Sequence, residues 1–208
     1  MIRSLFSLVL IGAAAATTCD IYDAAKETTP CVAAHSTVRA LYAKYAGPLY
    51  QVRRQSDNIT MDVKVLAAGG FADSASQDKF CAGTGCHIWR IYDQSAKLNH
   101  LDIAPPGGAH KAKDFPVNAT KESLTVGGHK VYAAFFEGGM GYRIDKGNGI
   151  AQGNAPESLY AVLNGKHFNG GCCFGKRRPC RAPAAARPPA LAHSSMSRRL
   201  RQRRVQQS

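Results

Sequence analysis

Five glycine pairs, Gly69-Gly70, Gly107-Gly108, Gly127-Gly128, Gly138-Gly139 and Gly170-Gly171, divide this chain into short segments. Glycine reaches backbone conformations that other residues avoid, so such pairs mark turns rather than element interiors. The segments between them read as strands. Ile59, Met61, Val63 and Val65 alternate with Thr60, Asp62 and Lys64, as a strand with one wet face requires. Residues 87–92, 130–136 and 158–163 are further β candidates, the last two apolar on both faces. One helix is expected, where Val38, Leu41, Tyr42 and Tyr45 recur at helical spacing behind Ser36 and Thr37, whose hydroxyls can cap a first turn. Short strands joined by glycine turns predict an all-β sandwich or barrel, and no internal repeat is visible.

The 208 residues carry a formal charge of +13, which by itself would suggest a nucleic-acid or membrane-surface partner. The charge is not spread evenly. Residues 176–208 hold ten basic side chains and no acidic one, leaving 17 basic against 14 acidic residues in the preceding 175. That tail also lacks glycine and aromatics, and it cannot bury enough apolar surface to offset its ordering entropy, so disorder is expected. At the other end, Arg3, the apolar run from Leu5 to Ile11 and the small residues Ala13 to Ala16 read as a secretory signal over residues 1–18, cleaved near Ala16 or Thr18. The expectation is a secreted, extracellular protein without a membrane span.

An exported chain meets an oxidising environment, where Cys19, Cys31, Cys81, Cys86, Cys172 and Cys173 read as six half-cystines, with Cys180 left over. Short loops are the expected closures: Cys19 with Cys31, Cys81 with Cys86, and Cys172 with Cys173. A metal site is disfavoured, since paired CxxC or His-rich ligand spacing is absent, and no cofactor is expected. Two sequons, at Asn58 and Asn118, fit glycosylation in a secretory pathway.

The runs Cys31-Val32-Ala33-Ala34-His35-Ser36, Arg39-Ala40-Leu41-Tyr42, Gly47-Pro48-Leu49-Tyr50-Gln51-Val52, Ile91-Tyr92-Asp93-Gln94-Ser95, Asn99-His100-Leu101, Ala104-Pro105-Pro106-Gly107-Gly108, Gly141-Tyr142-Arg143 and Tyr160-Ala161-Val162-Leu163 together resemble one family. It is the catalytic domain of fungal-type α-L-arabinofuranosidase B, glycoside hydrolase family 54, and the resemblance runs over residues 19–174. It departs from the family pattern at Ala96-Lys97-Leu98, in place of a glycine-containing turn, and at His87, Trp89 and Arg90, in place of a more uniformly β-branched strand. The resemblance implies a concanavalin- or jelly-roll-like β-sandwich, followed in the family by an arabinose-binding β-trefoil. It implies retaining hydrolysis of terminal α-L-arabinofuranosyl groups on arabinoxylan or arabinan, by a monomer that needs neither nucleic acid nor membrane.

The same resemblance places both catalytic carboxylates downstream of the paired cysteines, so this chain is expected to lack nucleophile and acid/base and to be inactive. What it implies for this sequence is a substrate contact, a vicinal Cys172–Cys173 disulfide packed on the arabinofuranose ring. Asp93, Asp102 and Glu137 are the carboxylates to weigh as acid/base groups. Isolated carboxylates near strand ends are more often solvated or bound to loop amides. His35, His100 and His129 read as loop or packing histidines, Trp89 as a strand-face residue before a sugar platform, and Tyr42 and Tyr45 as core. Two other classes compete with the enzyme reading: a non-catalytic arabinose-binding fragment, and a basic-tailed protein for nucleic acid or membranes.

Residues 175–208 invite a separate expectation. The family continues past its cysteine pair with Phe-Asp-Tyr-Gly-Asn-Ala-Glu, whereas Phe174 here is followed by Gly175-Lys176-Arg177. A possible coding of Phe174-Gly175-Lys176 contains GTAAG, the start of a spliceosomal intron. A possible coding of the missing family segment, read from its third base, yields Leu200 through Ser208 and a stop. The tail thus reads as a retained intron followed by an out-of-frame exon, and a genomic locus without GTAAG after Phe174 would reject this.

Overall fold

The computed structural model describes residues 17–25, 29–107 and 111–165. Residues 1–16, where a secretory signal is expected, the cysteine pair and the basic tail lie outside the described residues. Within them, nine elements follow in order: α1 (Thr18–Asp23), β1 (Pro48–Arg54), β2 (Thr60–Lys64), α2 (Ser74–Phe80), β3 (Cys86–Ile91), β4 (Leu101–Ile103), β5 (Glu122–Val126), β6 (His129–Ala133) and β7 (Tyr142–Arg143). Five strands form one antiparallel sheet in the order β2-β1-β3-β4-β7, and β5 and β6 form a separate hairpin. The expected strands at 59–65, 87–92 and 130–136 are β2, β3 and β6, and the all-β expectation holds.

Alternation explains which face is buried. Tyr50 and Val52 of β1, Val63 of β2 and Ile88 and Ile91 of β3 point inward and are buried, while Gln51, Arg53, Asp62 and His87 lie on the opposite face. Val131 of β6 joins the same core with Val117 and Ala119, so the hairpin forms a second layer over the sheet. The polar groups that enter this core are paired. The Tyr50 hydroxyl donates to Gln77 Oε1, and Gln77 Nε2 donates to the Ala119 carbonyl at 2.8 Å. Burial pushes the Tyr50 phenol far above its ordinary range. The Tyr142 hydroxyl accepts from Val117 N–H at 2.9 Å and donates to the Ile88 carbonyl at 2.7 Å, tying β7 back to β3.

Two expectations are corrected. No helix forms over the 36–45 segment, and the two short helices lie elsewhere, at α1 and α2. The Ser36 hydroxyl does accept from Val38 N–H and Arg39 N–H, both at 3.1 Å, as a cap would. The amides that should then propagate a helix are taken by distant partners: Ala40 N–H by the Gly70 carbonyl at 2.8 Å, Leu41 N–H by Gln94 Oε1 at 2.6 Å, and Ala43 N–H by Asp20 Oδ2 at 2.8 Å. Tertiary hydrogen bonds thus replace the local ladder that the apolar spacing favoured. The second correction concerns residues 158–163, which form no strand; Leu159 is 91% and Val162 79% exposed. Their apolar composition is read for a buried strand, but no described strand lies beside them to supply backbone partners.

The glycine joints serve as expected at two positions. Gly127 and Gly128, at φ +57° and +80°, make the two-residue turn between β5 and β6, a geometry that primed hairpin turns require. Leu98 holds φ +57° in the turn where the sequence departs from the glycine of the resembled pattern. Disulfides Cys19–Cys31 and Cys81–Cys86 form as expected, the second joining the C-terminal end of α2 to the start of β3.

Candidate functional site

The turn after β3 is built from the residues that make the sequence most recognisable. Asp93 is 3% exposed, and its carboxylate accepts four hydrogen bonds: from Ala34 N–H at 2.7 Å, Ser95 N–H at 2.9 Å, Ser95 Oγ at 2.7 Å and Asn99 N–H at 2.8 Å. Gln94 Nε2 donates to the Arg39 carbonyl, and Asn99 Nδ2 donates to the carbonyls of Val32 at 2.6 Å and Asn148 at 2.9 Å. This polar staple ties segments 32–41 and 148 to the end of the sheet. Its carboxylate is consumed by loop amides, so Asp93 is a structural anion rather than an acid or base poised for substrate.

Beside it, a shallow cleft of about 550 Å³ crosses the β3-β4-β7 side of the sheet, lined among others by Arg90, His100, Asp102, Lys113, Arg143 and Asp145. Asp102 pairs with Arg143 in strand register and receives both Nε and Nη2 of Arg90, at 2.6 and 2.8 Å. Arg143 in turn binds Asp145. Each cleft carboxylate is therefore held by a guanidinium, which occupies the lone pairs a nucleophile would need. Glu137, the third carboxylate weighed from sequence, lies in an ion pair with Lys121 at 2.7 Å. His100 Nδ1 accepts from Asp93 N–H at 3.0 Å, a bond that only an unprotonated ring nitrogen can make. Burial and the Arg90 charge lower its pKa from 6.5.

The remaining sequence candidates fall where packing puts them. His35 Nε2 lies 2.7 Å from the Asn99 carbonyl, and His129 stacks on Phe71 with ring centroids 4.6 Å apart. The Tyr42 phenol reaches the Cys31 carbonyl and burial pushes its pKa up to about 12, while Tyr45 packs against the core and donates to the Pro48 carbonyl at 2.5 Å. Trp89 stands half-buried on the strand face with Arg53 3.4 Å over its ring. Asn58 is exposed at φ +61° in the β1–β2 connection. Asn118 is half-buried, its Oδ1 accepting from Thr120 N–H and Oγ1. Cys172 and Cys173, the expected sugar contact, lie outside the described residues. Lys113 and Asp145 were not singled out in the sequence, and Arg143 only within the Gly141-Tyr142-Arg143 run, because nothing local shows that these residues share a cleft.

Set against known proteins, residues 18–177 match the family model described as "Alpha-L-arabinofuranosidase B, catalytic". The chain belongs to the α-L-arabinofuranosidase B catalytic family. It is 53% identical over 164 residues to a probable α-L-arabinofuranosidase B of Aspergillus terreus, a match covering 77% of this chain and 32% of that protein. Identity to the α-L-arabinofuranosidase B of Aspergillus niger is 48% over 176 residues, covering 83% of this chain and 35% of the relative. The chain thus spans about a third of the length of the curated relatives it matches. Among solved structures, an arabinofuranosidase complexed with arabinofuranosyl-α-1,2-xylobiose superposes with TM-score 0.62 at 48% identity, over 66% of this chain and 29% of that one. A GH54 α-L-arabinofuranosidase soaked with a cyclic sulfate inhibitor gives TM-score 0.62 at 47% identity, with the same coverage.

In this member of the arabinofuranosidase B catalytic family, the Asp93 staple is scaffold rather than chemistry. Of the motifs that carried the resemblance, those at 31–36, 39–42, 91–95 and 99–101 meet in this loop.

Proposed function

We propose that this chain is the N-terminal part of an exported, retaining α-L-arabinofuranosidase acting on arabinoxylan or arabinan, and that by itself it does not hydrolyse arabinofuranosides. The observation that carries the second half is the state of the carboxylates weighed from sequence: Asp93 is bound by four donors, Asp102 is paired with Arg90, and Glu137 is paired with Lys121. Retaining hydrolysis needs two carboxyl groups about 5–5.5 Å apart, one free to attack the anomeric carbon and one able to give a proton. The family match supports the first half.

In this reading Cys172 and Cys173 pair as a vicinal disulfide whose rigid, polarizable surface meets the C–H face of an arabinofuranose ring. Asn58 and Asn118 carry N-linked glycans. No described helix is long and apolar enough to cross a membrane. The purified 208-residue chain, given an aryl arabinofuranoside, releases no more product than a mock preparation. Turnover well above that background overturns the proposal.

A further inference from the structure

On the solvent face of the five-stranded sheet an indole lies among charges. Trp89, the single tryptophan of the chain, sits where β3 bulges between its Ile88 and Arg90 pairings with β1. The Arg53 guanidinium carbon lies 3.4 Å from the indole centroid and Lys113 Nζ 5.9 Å from it. Other cations on this side are committed, Arg90 to Asp102 and Arg143 to Asp145. Among the described residues, neither Arg53 nor Lys113 has a carboxylate partner. Two uncompensated cations held on one ring repel each other, and an anion between them removes that cost.

Lys113, one of the two cations, also lines the cleft of about 550 Å³ described above, which neither Arg53 nor Trp89 lines. The cleft carboxylates are already bound to guanidinium groups, so the cleft adds a concave wall beside the cations rather than free acceptors. His87, opposite Arg53 across the strand pair, has its pKa lowered from 6.5 by burial and by Arg53, and adds a neutral hydrogen-bonding ring beside the cations. A phosphate backbone suits this face poorly, since Asp62, Asp102 and Asp145 lie along it.

We propose that Arg53, Trp89 and Lys113, with the adjoining cleft, form a binding site for a single uronic-acid branch carried on a neutral xylan chain. The carboxylate lies between the guanidinium and the ammonium, the uronosyl C–H groups meet the indole, and the neighbouring neutral sugars enter the cleft. One indole flanked by two cations matches one charged ring rather than a run of them. The site concerns binding alone and stands whether or not the chain hydrolyses anything. Only the choice of xylan as carrier rests on the proposed function.

Because Trp89 is the sole tryptophan, its fluorescence reports on this site directly. The full chain is titrated with a glucuronic-acid-substituted xylo-oligosaccharide, the unsubstituted oligosaccharide of equal length, polygalacturonate and a short DNA duplex. A saturable change is expected with the first, at least tenfold weaker with the second. Arg53→Gln and Lys113→Gln each weaken binding about five- to tenfold, whereas Arg39→Gln, a cation on Phe71 instead, leaves it unchanged. Circular dichroism checks that each variant keeps the fold. Equal binding of the unsubstituted oligosaccharide, tighter binding of polygalacturonate or DNA, no fluorescence change with any ligand, or an equal loss on Arg39→Gln would each overturn the proposal.

Discussion

Replacing Asp93 by alanine tests how much of this structure hangs on one buried anion. The substitution removes four hydrogen bonds and leaves three backbone N–H groups, of Ala34, Ser95 and Asn99, facing a cavity from which water is largely excluded. Each charge-assisted bond is worth about 1.5–3 kcal/mol net, and each orphaned buried donor costs about 1–3 kcal/mol. Deleting the carboxylate also deletes the several kcal/mol of desolvation that its burial costs. The expected net loss is about 4 kcal/mol, most of the stability of a small domain. Asp93→Asn keeps the shape but can accept along only one of its two arms, so its amide meets a second donor and the expected loss is about half as large. Urea unfolding followed by Trp89 fluorescence with the disulfides intact measures both, and hydrogen exchange at the Ala34 and Asn99 amides localises the effect. An asparagine variant as stable as the parent, with both amides still protected, would refute the reasoning, because burial of the charge would then have cancelled everything it binds.

Other consequences are accessible to simple measurements. If the chain is exported as proposed, its mature form should begin at Thr17: the Thr17 N–H donates to Asp20 Oδ2 at 3.0 Å and its hydroxyl to the Leu41 carbonyl, and a new α-ammonium there faces a carboxylate. An N-terminal sequence starting at Cys19 contradicts this. His87 and His100 should titrate below 6.5 by NMR, since burial, reinforced by Arg53 and Arg90 respectively, disfavours their charged forms. With folded pKa values depressed, the unfolded chain takes up protons first, so their contribution is complete above about pH 6.5 and is lost as pH falls from there toward the folded values. Stability that rises on acidification through that window, in a His87→Gln/His100→Gln comparison, counts against it. At the β5–β6 turn, Gly128→Ala, where an added Cβ meets nothing within 4 Å, should cost about 1 kcal/mol for the left-handed backbone alone. Gly127→Ala should cost more, because its Cβ would stand 2.9 Å from Phe71 Cζ. Equal thermal shifts for the two would remove the steric half of that account.

The β character was legible because alternation records burial directly: residues 60–64 read apolar and polar in turn, and Val63 is inside while Asp62 is outside. The disulfides followed from short spacing, and the β5–β6 turn from adjacent glycines. The helix expected over 36–45 was not there, because spacing reports which side chains seek the core but not where the amides find partners; Gln94, Gly70 and Asp20 take them from afar. Asp93 read as an anion for loop amides, and so it is, but its four donors come from its own turn, at Ser95 and Asn99, and from Ala34, 59 residues away in the chain.

What the sequence determined by itself was the family, the strand pattern and the pairing of nearby cysteines, all of them local or collinear signals. Only the tertiary structure decided that Lys113, Arg143 and Asp145 share a cleft with Arg90, that Arg53 lies on Trp89, and that the carboxylates weighed for chemistry are already bound. The physical reason is that a sheet pairs segments far apart in the chain, so which charges neutralise one another and which are left to meet a ligand is settled by register and crossing, not by spacing.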